Sequence, residues 1–407
     1  MRLLKLIALN LVTMTVAGVV TLGLIEAGLR LNYYGSLTPF VGGPHLYKPD
    51  PKLAFIPNPG IRTAQERIAY VVPITVNSLG MRGRELGPKQ GKLRIAVIGD
   101  GHVFGSGLSD DDTLPVQLQR ALRAQSGKDH YEVVNAGGPA YNTVQQFLRT
   151  RDLIGELDAD LVILAFNSEN DIHYNTAGLR RFMTAGPKRP VARLNANGAL
   201  EFDYSAPERY FRRHRARLAN LKAERPWYLS TALYVRGRVF WRSIGRNKVP
   251  DPNIALGMPY LSKFSAAHSP NGRSAEEYDA LWHEGWAVTR ALILGMQKSV
   301  EATGARFAVT VVPSMDQLAP EYVAQWVAQF DGLALEFTRI NRMMESFAIQ
   351  NGIPVLDGYQ RLFEAYEAGE KDLHRSRFDS HLTPKGQRLL AEALAQQVLA
   401  GPLLSAP

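Results

Sequence analysis

The stretch RIAVIGDGHVFGSG, residues 94–107, decides how the rest of the chain is interpreted. Its first half is a run of β-branched and apolar residues, which is typical of a strand buried on both faces of a sheet. The run ends in Gly99-Asp100-Gly101-His102, and α/β proteins bind their ligands at the carboxyl ends of parallel strands. We therefore expect a functional site at this turn, although Gly101 has no side chain to offer.

Apolar strand patterns alternate with helical patterns along most of the chain. Continuous apolar strands that alternate with helices indicate a parallel sheet covered on both faces. The prediction is an α/β fold, with a flavodoxin-like, doubly wound sheet of five parallel strands. The strands are expected at 94–98, 131–135, 160–166, 306–313 and 353–357, and the helices at 113–124, 142–157, 285–302, 318–350 and from Thr383-Pro384 onward.

The N-terminus has the pattern of a membrane helix. Residues 6–25 carry no charge, with Arg2 and Lys5 before them and Glu26 after them. Twenty apolar-dominated residues match the thickness that one helix must span, whereas a cleaved signal peptide, the alternative, has a shorter apolar run and a small-residue cleavage site. Positive charge before the helix predicts a single-pass inner-membrane anchor, with a cytoplasmic N-terminus and the main domain in the periplasm.

Composition excludes several classes of chemistry. The chain of 407 residues contains no cysteine, which rules out thiol catalysis, disulfide bonds and cysteine-ligated metals. The nine histidines are scattered without the spacing of a metal site, so we expect neither a metal nor another cofactor.

The positive charge is concentrated in one segment. The net charge is +9, but residues 180–250 alone contain 17 Lys and Arg against four acids, interleaved with Trp, Tyr and Phe. Three interpretations remain open: a solvated basic face, a surface against anionic lipid headgroups, or a groove for an acidic polysaccharide. Nucleic acid is disfavoured because the anchor places this segment outside the cytoplasm. The sequence indicates no particular protein partner.

Polar residues collect where the predicted strands end. Asn167–Asp171 follows the third strand and includes Asn170, and "FDSHLTPKG" places Asp379 two residues before His381. An aspartate can orient a histidine and stabilise its imidazolium, as in acyl-transfer triads. The Asn170 carboxamide and main-chain amides at Gly137 and Gly138 could donate hydrogen bonds to an oxyanion.

Four blocks occur in the order of a known superfamily: VIGDGHVFGSG, NAGGPAYNT, FNSENDI and DSHLTPKGQRLLAEAL. They resemble the SGNH/GDSL hydrolases, which include esterases, lipases, carbohydrate deacetylases and O-acyltransferases. The resemblance covers most of 70–180 and 300–401. It is closest to membrane-anchored bacterial members, which also show the NSLGMRG stretch before the first strand.

The resemblance implies a site with one departure. It implies His381 as base, Asp379 as its orienting partner, and Asn170 with a Gly137 or Gly138 amide as oxyanion donors. Gly101 occupies the position of the nucleophilic serine, so no acyl-enzyme can form there.

Three explanations of Gly101 remain open. His381 could activate water, the pocket could bind without catalysis, or another group could act as nucleophile. Ser106 lies beyond Gly105, where a turn is expected to point it away, and His102 is expected to be a hydrogen-bonding neighbour. Asp100 shares the same turn.

These observations predict five regions and a function. The regions are an anchor at 1–31, an extended Pro/Gly-rich lead-in at 32–92, the first part of the core at 93–173, a basic, aromatic-rich insertion at 174–284, and the second part of the core at 285–407. The predicted function is that of an esterase or O-acyltransferase on envelope glycan or lipid esters, impaired or divergent because of Gly101. The alternative is an inactive pseudoenzyme that serves as a binding or scaffold subunit.

Overall fold

The computed structural model describes most of the chain, including the predicted core. The described residues are 2–34, 37, 44–66, 71–169, 171–180, 188–221, 223, 231–234, 236–237, 275–321, 336–376 and 379–404. Asn170 and much of the predicted insertion lie outside them, as does the middle of the helical stretch predicted over 318–350.

The first helix, α1, spans Arg2–Tyr34. Its apolar side chains are exposed along its length, and Lys5–Asn32 is long and apolar enough to cross a membrane. Length and composition alone support this property. The helix continues slightly beyond the predicted anchor at 1–31.

Two antiparallel hairpins follow in the Pro/Gly-rich lead-in. Strand β1 (Tyr47–Asp50) pairs with β2 (Ala54–Pro57), and β3 (Ile61–Glu66) pairs with β4 (Val71–Val76). These hairpins bring Tyr47 and Phe55 to the pocket described below.

Five parallel strands form the central sheet. The first three are β5 (Leu93–Gly99), β6 (Tyr131–Asn135) and β7 (Leu161–Asn167). After a small antiparallel hairpin of β8 (Val191–Leu194) and β9 (Leu200–Asp203), the sheet resumes with β10 (Arg306–Val312) and β11 (Val355–Leu356). The spatial order β11-β10-β7-β5-β6 is that of a flavodoxin-like, doubly wound sheet, so the predicted fold class is confirmed. The strand predicted over 353–357 pairs over two residues only.

Helices cover both faces of the sheet. The full set is α2 (Gly101–Phe104), α3 (Leu114–Ser126), α4 (Thr143–Leu157), α5 (Ala177–Arg180), α6 (Ser205–His214), α7 (Ala275–Glu301), α8 (Met315–Leu318), α9 (Arg339–Gln350), α10 (Tyr359–Glu367) and α11 (Pro384–Ala400). One apolar cluster joins the sheet to α4, α7 and α9, and a second joins it to α3, α10 and α11. The wholly apolar sequence of β7 follows, because all seven of its residues are buried.

The last helix begins as its sequence predicts. The Thr383 side chain accepts a hydrogen bond from the Gly386 N–H, and Pro384 stands at the first helical position. Immediately before this cap, the short strands β12 (His374–Ser376) and β13 (Asp379–Leu382) form an antiparallel pair. This arrangement carries Asp379 and His381 to the carboxyl edge of the sheet.

Arg82, in the NSLGMRG stretch, holds the loop that follows β5. Its buried guanidinium donates to the carbonyls of Phe104 (2.9 Å), Gly105 (2.6 Å) and Leu108 (2.6 Å), and to Asp110 Oδ1 (2.8 Å). A planar guanidinium with five donors can satisfy several fixed acceptors at once. The loop at 104–110 is therefore tied to the lead-in hairpins.

We expect Arg82→Ala to lower the free energy of unfolding by about 3 kcal/mol, because it leaves buried carbonyl groups without their donor. Thermal or urea unfolding of the purified chain measures the effect. Arg84→Ala is the matched control, since Arg84 is exposed and its loss should change stability by less than about 0.5 kcal/mol. Equal effects of the two substitutions would contradict the role of Arg82.

Candidate active site

Asp100 connects the ends of two neighbouring strands. Its Oδ1 accepts from the His102 main-chain N–H at 2.9 Å, which caps the short helix α2. Its Oδ2 accepts from Asn167 Nδ2, at the end of β7, at 2.8 Å. Asp100 is therefore a buried structural acceptor at the centre of the site.

Gly101 is required by space rather than by backbone conformation. Its φ lies outside the left-handed region that favours glycine. A Cβ at this position would lie 2.6 Å from His381 Nε2 and 3.1 Å from Ser106 Oγ, and the first distance is too short for any side chain. The absence of a side chain thus lets His381 approach the turn directly.

Asp379 and His381 meet as the sequence blocks imply. His381 Nδ1 lies 2.6 Å from Asp379 Oδ1, and Arg375 Nη1 lies 3.4 Å from the other carboxylate oxygen. Burial favours the neutral carboxyl, but the hydrogen bond and charge of His381, with Arg375, outweigh it and lower the pKa of Asp379 to about 2.

The ionised state of Asp379 determines the tautomer of its partner. A carboxylate without a proton can only accept hydrogen bonds, so His381 Nδ1 carries the hydrogen in the neutral imidazole. Nε2 is then the basic nitrogen, and it faces Gly101. His381 is therefore arranged to take a proton from a group in the pocket.

Ser106 does not point away from the site. Its side chain lines the same pocket as Gly101 and His381, and only 7% of the residue is exposed. The expectation that the turn at Gly105 directs it elsewhere is wrong. The chain reverses at Gly105, whose φ of 75° is left-handed, and returns over the start of α2.

His102 packs against His381 instead of forming a hydrogen bond with its ring. The two imidazoles stack with centroids 4.8 Å apart, and His102 Nδ1 has no partner among the described residues. Burial lowers the pKa of His102 to about 3, so its ring is neutral at physiological pH. The main chain of His102 does form hydrogen bonds, to Asp100 and to Gln387.

The two predicted glycine donors have other acceptors. The Gly137 N–H donates to Asn135 Oδ1 at 3.1 Å, and the Gly138 N–H donates to the Gly99 carbonyl at 2.9 Å. This corrects the expectation that these amides are free to bind an oxyanion. Asn170, the third predicted donor, lies outside the described residues.

The site is a pocket of about 210 Å³ at the carboxyl edge of the sheet. Four parts of the chain line it: the lead-in hairpins, the strand ends, the insertion and the strand β13. Its lining residues are Tyr47, Phe55, Asp100, Gly101, His102, Ser106, Pro139, Ala140, Tyr141, Asn167, Glu169, Tyr174, Lys188, Arg189, Tyr210, Ser380 and His381. Among the described residues, no group of three or more His, Asp and Glu side chains could hold a metal ion.

Glu169 is a pocket carboxyl that the sequence does not single out. Its Oε2 accepts from Ser380 Oγ at 2.7 Å. Burial, followed by the negative charge of Asp316, raises its pKa to about 8. Glu169 is therefore largely protonated at neutral pH. Its place in NSEND, directly after a strand, was the only sequence signal.

The insertion contributes a cationic and aromatic wall. Lys188 Nζ lies over the rings of Phe55 (4.6 Å) and Tyr210 (5.2 Å). The Arg189 guanidinium lies 4.3 Å from the Tyr174 ring centroid, and its Nε donates to the Ala140 carbonyl at 2.7 Å. The basic, aromatic-rich pattern indicated this segment, but not that it reaches the strand ends.

No family model matches the sequence, and no curated protein matches it. Several solved structures are similar in fold at low identity. TesA is 15% identical with a TM-score of 0.36, over 76% of this chain and 99% of that one. A lipase/acylhydrolase from Enterococcus faecalis is 12% identical with a TM-score of 0.35, over 76% and 96%. A GDSL-like lipase from Bacteroides thetaiotaomicron is 14% identical with a TM-score of 0.31, over 77% and 90%. These neighbours are SGNH/GDSL hydrolases, the superfamily that the four sequence blocks resemble.

The raised pKa of Glu169 predicts a pH-dependent stability. Between pH 4.5, where an unfolded glutamate loses its proton, and about 8, where the folded one does, only the unfolded state is ionised. The wild type should therefore lose stability as pH rises through this range, relative to Glu169→Gln. The difference in thermal unfolding midpoint between pH 5 and pH 9 measures the effect. Glu345→Gln, on the exposed face of α9, should run parallel to the wild type, and parallel behaviour of Glu169→Gln would contradict the assignment.

Proposed function

We propose that this chain is a membrane-anchored ester hydrolase or O-acyltransferase that acts in the periplasm on acyl esters of envelope glycans or lipids. One observation carries the proposal: an ionised Asp379 orients His381 so that its basic Nε2 faces the pocket at the end of β5. An aspartate–histidine pair in this geometry serves as the general base of acyl transfer.

The chemistry assigned to the pair is proton transfer. His381 Nε2 takes the proton of the attacking hydroxyl, and Asp379 stabilises the imidazolium that results. The imidazolium then returns a proton to the departing alcohol. For the negative oxygen of the intermediate, the candidate donors are the Gly101 N–H, which opens helix α2 and has no acceptor within that helix, and Asn170 as predicted from the sequence.

The pocket lining supports a polar, acidic acceptor for the acyl group. Tyr47, Phe55 and Tyr210 present ring faces suited to a sugar or another flat apolar surface. Lys188 and Arg189 add two positive charges beside them, while Glu169 is mainly neutral at pH 7. This combination favours an ester on a carboxylated or otherwise anionic glycan over an ester on a neutral one.

The N-terminal helix supports anchoring of the pocket close to a membrane. The side chain of Glu26, near the C-terminal end of α1, accepts from the main-chain N–H groups of Ala232 and Leu233 at 2.8 Å each. Leu233 and Tyr234 are exposed apolar residues at that contact. Part of the basic insertion thus lies against the anchor helix, where anionic lipid headgroups would face its charges.

We expect the full chain to hydrolyse p-nitrophenyl acetate and acetylated sugars, with acetylated uronates preferred to neutral sugars. His381→Ala and Asp379→Asn should lower the rate about 10²- to 10⁴-fold, because both remove general-base catalysis. His283→Ala is the control, since His283 is exposed on α7. Release of p-nitrophenol and of acetate measures the two reactions.

The same assay tests the alternative of an inactive binding protein. Hydrolysis by Gly101→Ser but not by the wild type would favour a pseudoenzyme that has lost its nucleophile. A wild-type rate that does not depend on His381 would contradict the proposed site.

We expect α1 to remain in the membrane and the rest of the chain to lie in the periplasm. The full chain should stay with bacterial membranes after alkaline carbonate washing, because its apolar stretch spans the hydrocarbon layer. An alkaline phosphatase fused to its C-terminus should be active, and one fused to its N-terminus should not. Release of the chain into the soluble fraction would contradict anchoring.

A further inference from the structure

We propose that Ser106 is the nucleophile of this site and forms an acyl-enzyme in place of the side chain that Gly101 lacks. The inference rests on the proposed function, since it names the group from which His381 takes a proton. It carries the site beyond the alternatives of activated water or an inactive pocket.

The geometry at Gly101 brings Ser106 and His381 together. The Cβ position of residue 101 lies 3.1 Å from Ser106 Oγ and 2.6 Å from His381 Nε2. Both atoms therefore border the same point at the base of the pocket, where no side chain separates them. A small rotation of the Ser106 side chain or of the imidazole would bring the hydroxyl within hydrogen-bond reach of Nε2.

A water molecule cannot take the place of a side chain at that point. The Cβ position is one covalent bond length from the Gly101 Cα, which is far inside the contact distance of a water oxygen. A nucleophilic water would have to lie farther out in the pocket. Ser106 Oγ, by contrast, is held at this place by the chain itself, which removes the cost of positioning a free reactant.

The other hydroxyls of the pocket have different partners. Ser380 Oγ donates to Glu169, and the Tyr141 hydroxyl donates to the Phe55 carbonyl at 3.0 Å. No hydrogen bond engages the Ser106 hydroxyl within the described residues. Its proton is thus available to the basic nitrogen of His381.

The loop that carries Ser106 is fixed from several sides. The Ser106 N–H donates to the Gly101 carbonyl at 2.9 Å, and the Gly107 N–H donates to Gln65 Oε1 at 2.7 Å. Arg82 holds the carbonyls of the two preceding residues and of Leu108. A nucleophile on such a loop is positioned before substrate arrives, as a catalytic serine must be.

The reaction balances with water as the only co-reactant. His381 Nε2 takes the Ser106 proton while Oγ bonds to the acyl carbon. The ester C–O bond then breaks, and the leaving alcohol receives that proton. In the second half, water gives a proton to Nε2 and bonds to the acyl carbon, the acyl–Oγ bond breaks, and the proton returns to Ser106. An acceptor alcohol in place of water gives acyl transfer.

Phosphonylation of the full chain tests the nucleophile directly. A fluorophosphonate should form one adduct, located on Ser106 by peptide mass spectrometry. The adduct should be absent from Ser106→Ala and form at least about tenfold more slowly in His381→Ala. Ser299→Ala is the matched control, because the Ser299 hydroxyl only bonds a carbonyl of its own helix. No adduct, or an adduct on another residue, would overturn the proposal.

A cysteine substitution tests the same contact without relying on ester turnover. Since the chain has no cysteine, Ser106→Cys would carry its only thiol. Iodoacetamide should alkylate this thiol with a lower apparent pKa than the thiol of Ser299→Cys, and the additional change His381→Ala should abolish that difference. Equal pH profiles with and without His381 would contradict the Ser106–His381 contact.

Ester hydrolysis separates this inference from the proposed function. A loss of about 100-fold or more in Ser106→Ala supports the nucleophile. A rate that needs His381 but survives in Ser106→Ala leaves the function standing and overturns Ser106. An adduct on Ser106 without hydrolysis of any ester supports Ser106 and contradicts the function, whereas the absence of both overturns both.

Discussion

The contact between Arg82 and the loop after β5 is the constraint on which the site depends. A guanidinium that binds three main-chain carbonyls and a carboxylate determines the path of residues 104–110. Because that loop is short and closed by left-handed glycines, its path also determines where Ser106 lies. Burial makes the arrangement costly to disturb, since each carbonyl would lose its only nearby donor. The NSLGMRG stretch is thus a support for the pocket.

Close approach and charge together define the chemistry of the pocket. Gly101 admits His381 to the turn, and an ionised Asp379 leaves Nε2 as its basic atom. The nearby groups do not compete for that role: burial keeps His102 neutral and Glu169 mostly protonated at neutral pH. Two carboxyl groups of one pocket therefore have opposite protonation states, because one has a cationic or hydrogen-bonding partner and the other is desolvated beside acids.

The fold was predictable because its signals are local. Buried parallel strands require continuous apolar runs, and all five runs form the expected strands in the expected order. The Asp379–His381 pair was also accessible, since the two residues are neighbours in sequence and stand before a recognisable helix cap. The orientation of Ser106 was not, because it depends on the left-handed turn at Gly105 and on the distant Arg82. Nor could the sequence show that the Gly137 and Gly138 amides have internal acceptors.

The amino-acid sequence alone determined the fold class, an apolar N-terminal helix of membrane-spanning length, and the absence of thiol chemistry. Periodicity, length and composition are properties of contiguous residues, so they need no knowledge of which segments meet. Tertiary structure alone decided that Lys188 and Arg189 reach the strand ends, that Glu169 is buried, and that Ser106 and His381 border one point beside Gly101. Those facts depend on the packing of segments far apart in the chain, which brings groups together at distances that no spacing in the sequence encodes.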